Sequence, residues 1–243
     1  MTTASLAWYP AAGPLWEALW ADVRARIGVG PSRLDWPDDF DAHWRDPGLV
    51  MAQTCALPYH MRLHGHLHVV GAFDFGLDGA PPGTYRSHLV TRIDDDRPLR
   101  DAARGGVALN AVDSQSGWGA LHATGLPIGP ASVTGSHAAS MEAVAAGRAD
   151  LAAIDAVTWR LSPHPRLAVR ATTPPTPGCP LVTSRADLVD PLRGALRAAI
   201  PDLPLALRRR AGLRGFVVSG NADYLRGATP PPPTGRAAVA DGA

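Results

Sequence analysis

The feature that most constrains the fold of this chain is a regular alternation of apolar runs with helical patterns. The run LVMAQT at 49–54 is apolar at successive positions, which is typical of a strand buried on both faces. Apolar residues also recur at helical spacing, as at Leu15, Leu19, Val23 and Ile27. Repeated alternation predicts an α/β protein with a mainly parallel sheet and covering helices.

The same rhythm continues along most of the chain. We expect further strands at about 4–8, 34–36, 66–73, 85–92, 106–110, 131–135, 150–155, 167–171 and 180–183, the last two as a pair. We expect further helices at about 40–44, 56–64, 99–104, 138–146 and 186–200.

Two links rich in glycine and proline, near 76–84 and 173–179, divide the chain. They predict a first lobe formed by 1–84 and 180–227 and an inserted second lobe formed by 85–179, with a cleft between the lobes. The tail at 228–243 has little apolar surface to offset its ordering entropy, so we expect it to be disordered.

Composition excludes several classes of function. The 23 Lys and Arg residues against 22 Asp and Glu residues give a net charge of +1, which argues against a nucleic-acid surface. The sequence contains no lysine, which excludes a Schiff-base lysine and a Walker A loop. No apolar run is long enough for membrane insertion.

The beginning of the chain, MTTASLAWYP, lacks a basic segment followed by an apolar core. As written, the sequence therefore predicts a cytoplasmic protein. If the true start lies upstream, we expect a periplasmic or exported one.

The cysteines and histidines suggest no metal or cofactor. Cys55 and Cys179 match no metal-ligand or redox spacing, so we expect them to pack as small apolar residues without a disulfide. His60 and His64 share a predicted helical face, and His66 and His68 share a predicted strand face. No Cys, Asp or Glu completes a set of metal ligands before Asp74. Structural or surface roles are favoured over metal binding.

Two predicted helix starts have the chemistry of an anion site. Asp113–Gly117 opens a helix after a strand, where free N–H groups and the hydroxyls of Ser114 and Ser116 can bind an anion. In the second, Ser136 can cap a helix while His137 projects from it. The alternative at both places is ordinary capping.

Three segments together resemble a known family: QTCALPY, VDSQSGW and TGSHAASMEAVAAGRADLAAIDAVTW. They are similar to the phosphonate-binding proteins of ABC transporters, of the phosphate/phosphite/phosphonate type, and the resemblance covers most of residues 4–225. It implies a two-lobe type II periplasmic-binding-protein-like fold, in which two hinge crossovers allow closure over a small polar molecule.

The resemblance also implies site residues. In the second lobe they are Ser114, Gln115 and Ser116 of an anion loop that reads Ser-Thr-Ser in the family, His137 of its Gly-Ser-His motif, and Asp155 at the end of the next strand. The change from Thr to Gln removes one hydroxyl contact. In the first lobe the matching positions are Tyr9 and either Tyr59 or the pair Gln53 and Thr54. The resemblance further implies that Asp155 holds the amino group of an aminoalkylphosphonate.

Two functions remain open, and the sequence favours the first. The first is a solute-binding protein for a small anionic or zwitterionic ligand, with an ABC permease as a candidate partner. The second is a cytosolic enzyme on the same fold, similar in lobe organisation to the menaquinone-pathway chorismate dehydratase. In that case His137 would be the acid or base and Asp155 would set its tautomer or pKa.

Overall fold

The computed structural model describes residues 1–226, 229–233 and 238–239. The chain forms two compact units. Unit 1 comprises Met1–Tyr85 and Thr176–Gly227, and unit 2 comprises Arg86–Pro175 and Ala228–Ala243.

The strands are numbered in chain order: β1 Thr3–Ser5, β2 Leu49–Gln53, β3 His68–Asp74, β4 Thr84–Tyr85, β5 Ser87–Arg92, β6 Val107–Leu109, β7 Ala131–Val133, β8 Leu151–Asp155, β9 Leu167–Thr172, β10 Thr176–Pro177, β11 Pro180–Thr183, β12 Gly215–Val217 and β13 Ala238–Val239.

The α-helices are α1 Gly13–Ile27, α2 Phe40–Trp44, α3 Ala56–Pro58, α4 Leu99–Gly105, α5 Ala120–Ala123, α6 His137–Ala145, α7 Ala156–Leu161, α8 Val189–Asp202, α9 Leu205–Ala211 and α10 Asn221–Tyr224. Two π-helical turns, Tyr59–Leu63 and Gln115–Gly119, and two 3₁₀ turns, Pro10–Ala12 and Ala186–Leu188, complete the helical elements of the described chain. No helix in the described ranges is both long and apolar enough to cross a membrane.

Unit 1 is built on a five-stranded sheet with the order β1-β2-β11-β3-β12. β1 and β2 are parallel, β11 runs antiparallel to both β2 and β3, and β12 runs antiparallel to β3. α1 packs against α8, and it buries Trp16 and Trp20 completely. Each indole N–H donates to a backbone carbonyl, of Tyr9 at 3.0 Å and of Pro31 at 2.9 Å, so their polar atoms are satisfied.

Unit 2 is built on a six-stranded sheet with the order β13-β7-β6-β8-β5-β9. The strands β7, β6 and β8 are parallel, so their carboxyl ends lie at one edge of the sheet. Leu151 and Ala153 of β8 belong to one apolar cluster, and Ala152 and Ile154 belong to another. The strand is therefore buried on both faces, as its apolar run predicts.

The prediction of a mainly parallel sheet is wrong in detail, because each sheet also contains antiparallel strand pairs. β11 lies between β2 and β3, and β5 lies between β8 and β9. The predicted pairing of 167–171 with 180–183 is also wrong. β9 belongs to the sheet of unit 2 and β11 to that of unit 1.

The first predicted strand is shorter than expected, and the second is not a strand. β1 ends at Ser5, before the predicted limit at Trp8. Asp35 lies in the predicted strand at 34–36, where its N–H donates to the carbonyl of Ala4 at 2.7 Å. Its carboxylate also accepts from the N–H of Ala4 at 2.9 Å, so the segment is anchored to β1.

The described part of the tail contacts unit 2. β13 pairs in parallel with β7, and the indole N–H of Trp118 donates to the carbonyl of Pro231 at 2.7 Å. The expectation of disorder at 228, 234–237 and 240–243 falls outside the described residues.

Replacement of Gly71 by alanine tests the close contact between β3 and β12. A Cβ at this position would lie 2.3 Å from the carbonyl oxygen of Val217 and 2.4 Å from the ring of Phe216. We expect Gly71→Ala to reduce the free energy of unfolding by about 1–3 kcal/mol in urea denaturation, since backbone must move. Gly194→Ala is the control: its Cβ meets nothing within 4 Å, and we expect a gain of about 0.5–1 kcal/mol in that helix. Equal effects of both substitutions would contradict this packing.

Candidate functional site

The first element of the site is the turn that follows β6. The Ser114 hydroxyl accepts from the N–H of Gly117 at 3.1 Å and so caps the π-helical turn Gln115–Gly119. A Cβ at Gly117 would lie 2.2 Å from Oδ1 of Asn110, so glycine is required for this close approach. Ser114 thus makes the ordinary cap that was the alternative to an anion site at this turn, and its role in anion binding stays a prediction. The helical segment that it starts is π-helical before the chain continues as α5.

The second element is the start of α6. Gly135 has φ +86°, a conformation that favours glycine, and Ser136 accepts from the N–H of Ala139 at 3.0 Å as the helix cap. Thr134 donates to the carbonyl of Leu109 at 3.0 Å, which ties this turn to the end of β6. His137 is therefore the first residue of α6, beside the Ser114 turn.

His137 joins the two turns to the end of β8. Its Nε2 lies 2.8 Å from the hydroxyl oxygen of Ser116 and 3.5 Å from Oδ2 of Asp155. The hydroxyls of Ser114 and Ser116 are 3.4 Å apart. These four residues, which the sequence places in three separate segments, form one cluster that we call the oxyanion cluster: Ser114, Ser116, His137 and Asp155.

The carboxylate of Asp155 has several partners within its own chain. Oδ1 accepts from the N–H groups of Val157 at 3.0 Å and Thr158 at 2.9 Å, and Oδ2 accepts from the Thr158 hydroxyl. Asp155 thus caps α7, and it is only 3% exposed. These bonds compensate for the removal of the charge from water.

The electrostatics of the cluster favour a neutral imidazole. Burial lowers the pKa of His137, although the Asp155 carboxylate and the backbone of Ala153 act in the opposite direction. A neutral ring can accept from the Ser116 hydroxyl through Nε2 or donate to Asp155 from that same atom. The cluster therefore contains two hydroxyls and an imidazole close to a buried carboxylate.

Gln115, the remaining predicted residue of the loop, lies in the π-helical turn. Its side-chain oxygen would be 3.2 Å from a Cβ at Gly119, so the side chain folds back along its own turn.

The predicted residues of the first lobe lie in unit 1. The ring of Tyr9 packs edge-on against Phe75 at 5.3 Å, and Thr54 is fully buried. The hydroxyl of Tyr59 is 2.7 Å from Oδ1 of Asn221 and 3.2 Å from the carbonyl of Leu67, and burial raises the pKa of Tyr59 to about 12. Ligand contacts of Tyr9, Thr54 and Tyr59 stay a prediction.

One polar residue beside the site, Asn110, was not predicted from the sequence. Asn110 directly follows β6, and its buried Oδ1 has no hydrogen-bond partner among the described residues. A polar residue immediately after a buried strand is a signal that could have identified it. As for metals, the described residues contain no group of three His, Cys, Asp or Glu placed to hold one.

Comparisons with known families and proteins give one family match. A family model described as "ABC transporter, phosphonate, periplasmic substrate-binding protein" matches residues 56–224, which include the whole oxyanion cluster. No curated protein matches the chain.

Three solved structures illustrate the structural similarity. PhnD1 from Prochlorococcus marinus, in complex with methylphosphonate, has a TM-score of 0.71 at 14% identity, covering 92% of this chain and 94% of that one. A binding protein of an ABC phosphonate transporter from Pseudomonas aeruginosa has a TM-score of 0.70 at 15% identity, covering 93% of this chain and 82% of that one. A Xanthomonas citri protein bound to ATP has a TM-score of 0.65 at 15% identity, with 92% of each covered. The predicted two-lobe, type II periplasmic-binding-protein-like fold is confirmed.

The lowered pKa of His137 predicts a pH-dependent stability. Below the ordinary histidine pKa of about 6.5 the unfolded chain binds a proton that the folded chain resists, so stability falls as the pH falls through this range. Burial lowers the pKa of His43 and His88 in the same direction, so they contribute to the same slope. We expect urea denaturation between pH 5.5 and 8 to show this loss, and His137→Gln to reduce its slope. An unchanged slope in the variant would show that His137 is not the source.

Proposed function

Because the chain belongs to the family of periplasmic phosphonate-binding proteins of ABC transporters, we propose that it captures a small phosphonate-like oxyanion at the oxyanion cluster without converting it. The observation that carries the proposal is the meeting of Ser116 and His137, from two different helix starts, at 2.8 Å. A hydroxyl and an imidazole from the starts of two helical segments meet there.

The chemistry of these groups suits an oxyanion. Helix starts present N–H groups with an attractive dipole, and serine hydroxyls can rotate to donate. Hydrogen bonds to a charged group each contribute about 1.5–3 kcal/mol, so three or four can support micromolar binding. The neighbour from Prochlorococcus marinus, in complex with methylphosphonate, supports the choice of a phosphonate as the ligand class.

The cluster does not have the geometry of a serine–histidine–aspartate relay. In such a relay the serine and the carboxylate contact different ring nitrogens of the histidine. Here Ser116 and Asp155 both approach Nε2 of His137. This arrangement favours binding over nucleophilic catalysis by Ser116, in agreement with a family of substrate-binding proteins.

We assign Asp155 a positioning role in place of a contact with an amino group. Its oxygens already accept from Val157, Thr158 and the Thr158 hydroxyl, and the side chain is buried. The carboxylate therefore holds α7 and orients His137. A ligand at this cluster needs an oxyanion but no ammonium group.

The remaining parts of the proposal follow the family. Location in the periplasm and delivery to an ABC permease are what the family description implies. Tyr9, Thr54 and Tyr59 of unit 1 are retained as proposed contacts for the rest of the ligand.

Removal of one hydroxyl tests the site. We expect Ser116→Ala to weaken methylphosphonate binding about tenfold to a hundredfold in isothermal titration calorimetry, because one charge-assisted hydrogen bond is lost. Ser162→Ala is the matched control, since this exposed serine lies at the end of α7 and its hydroxyl makes no hydrogen bond within the described residues. If methylphosphonate, phosphate and phosphite all fail to bind the wild type, the proposal is wrong.

A pair of ligands tests the role of Asp155. We expect 2-aminoethylphosphonate and ethylphosphonate to bind with affinities within about threefold of each other, because the buried carboxylate is already hydrogen-bonded. The same calorimetric titration measures both. If 2-aminoethylphosphonate binds more than about tenfold more tightly than ethylphosphonate, the positioning role is wrong, and Asp155 or another carboxylate contacts the ammonium group.

A further inference from the structure

The two cysteines of the chain lie opposite each other across two antiparallel strands. β2 and β11 pair with Gln53 opposite Leu181 and Ala52 opposite Val182. The N–H of Thr54 donates to the carbonyl of Pro180 at 3.0 Å, so the same register continues one residue beyond the strand. The backbone at Cys55 is still extended, with φ −80° and ψ 149°. The next opposed pair in this register is Cys55 and Cys179.

This position is suited to a cross-strand bridge. Thr54 and Pro180 form the hydrogen-bonded pair, so Cys55 and Cys179 occupy the neighbouring non-hydrogen-bonded position, where opposed Cα atoms are about 4.5 Å apart. Disulfides span Cα separations of about 4.4–6.8 Å. Directly opposed side chains also point to the same face of the sheet, and both of these are buried.

We propose that Cys55 and Cys179, which this register places opposite each other, form an intrachain disulfide under oxidising conditions. The oxidant is a disulfide, of an oxidoreductase or of a small thiol compound. One cysteine thiolate attacks it to form a mixed disulfide, and the second thiolate then displaces the other thiol. The two cysteines lose two protons and two electrons, and the oxidant is reduced to two thiols.

The surroundings give this bridge a structural consequence. The chain returns from unit 2 to unit 1 at Thr176, and Cys179 lies three residues later. Cys55 immediately precedes α3 and the turn that carries Tyr59. The bridge would close a chain loop that contains all of 86–175. Closing a long loop strongly reduces the conformational entropy of the unfolded chain and so stabilises the folded one. The family is periplasmic, and the bacterial periplasm is an oxidising compartment.

The test compares two refolding conditions for the full chain. The protein is unfolded and refolded either in a glutathione redox buffer or with a phosphine reductant, and is then analysed by intact mass and by non-reducing tryptic mapping. We expect a mass loss of about 2 Da in the redox buffer and a linked pair of peptides, 46–62 with 171–185. We also expect the oxidised protein to melt about 5 °C or more above the reduced one.

The variants Cys55→Ser and Cys179→Ser separate the bridge from other effects of oxidation. Each should abolish the mass loss and the redox dependence of the melting temperature, and both should still fold under reducing conditions. Two alkylatable thiols in the redox-treated wild type, glutathione adducts without linked peptides, or linkage between two chains would each overturn the proposal.

Discussion

The carboxylate of Asp155 is the constraint on which the site depends. It is buried at the end of β8, where an ionised group must be satisfied by hydrogen bonds. The first N–H groups of α7 provide them, so one side chain fixes both the end of a strand and the start of a helix. The same carboxylate lies 3.5 Å from Nε2 of His137, the first residue of α6, and so connects the start of α6 with the start of α7. The side chains of this cluster are therefore positioned by bonds that also stabilise the fold.

The parts of the site that could be predicted from sequence are those set by local chemistry. Ser114, Ser136 and Asp155 all cap helical segments in the structure, as short polar side chains after apolar strands indicate. The parallel arrangement of β6, β7 and β8 then brings the three caps to one edge of the sheet. The prediction that Ser116, His137 and Asp155 belong to one site came from the resemblance to phosphonate-binding proteins, because the order of the strands was not predicted from the sequence.

The parts that could not be predicted depend on contacts between distant segments. Nothing local to β11 shows that it inserts between β2 and β3, and this insertion is what places Cys179 opposite Cys55. Similarly, the hydroxyl of Tyr59 is engaged by Asn221, a residue far along the chain. Hydrophobic periodicity identifies elements but not their partners, so antiparallel insertions and long-range hydrogen bonds remain invisible to it.

The charge distribution of the oxyanion cluster links ligand binding to protonation. Burial lowers the pKa of His137 and so favours the neutral imidazole, although the adjacent carboxylate acts in the opposite direction. Under the proposed function, a bound oxyanion adds a second negative charge near the ring. Opposite charges at short range favour the protonated imidazole, so its pKa rises on binding and a proton is taken up with the ligand. The imidazolium would then offset part of the repulsion between the two negative charges. This gives a physical reason why a buried carboxylate is tolerated next to an anion site: a positive charge on His137 compensates for it, and the first N–H groups of α7 already satisfy its hydrogen bonds.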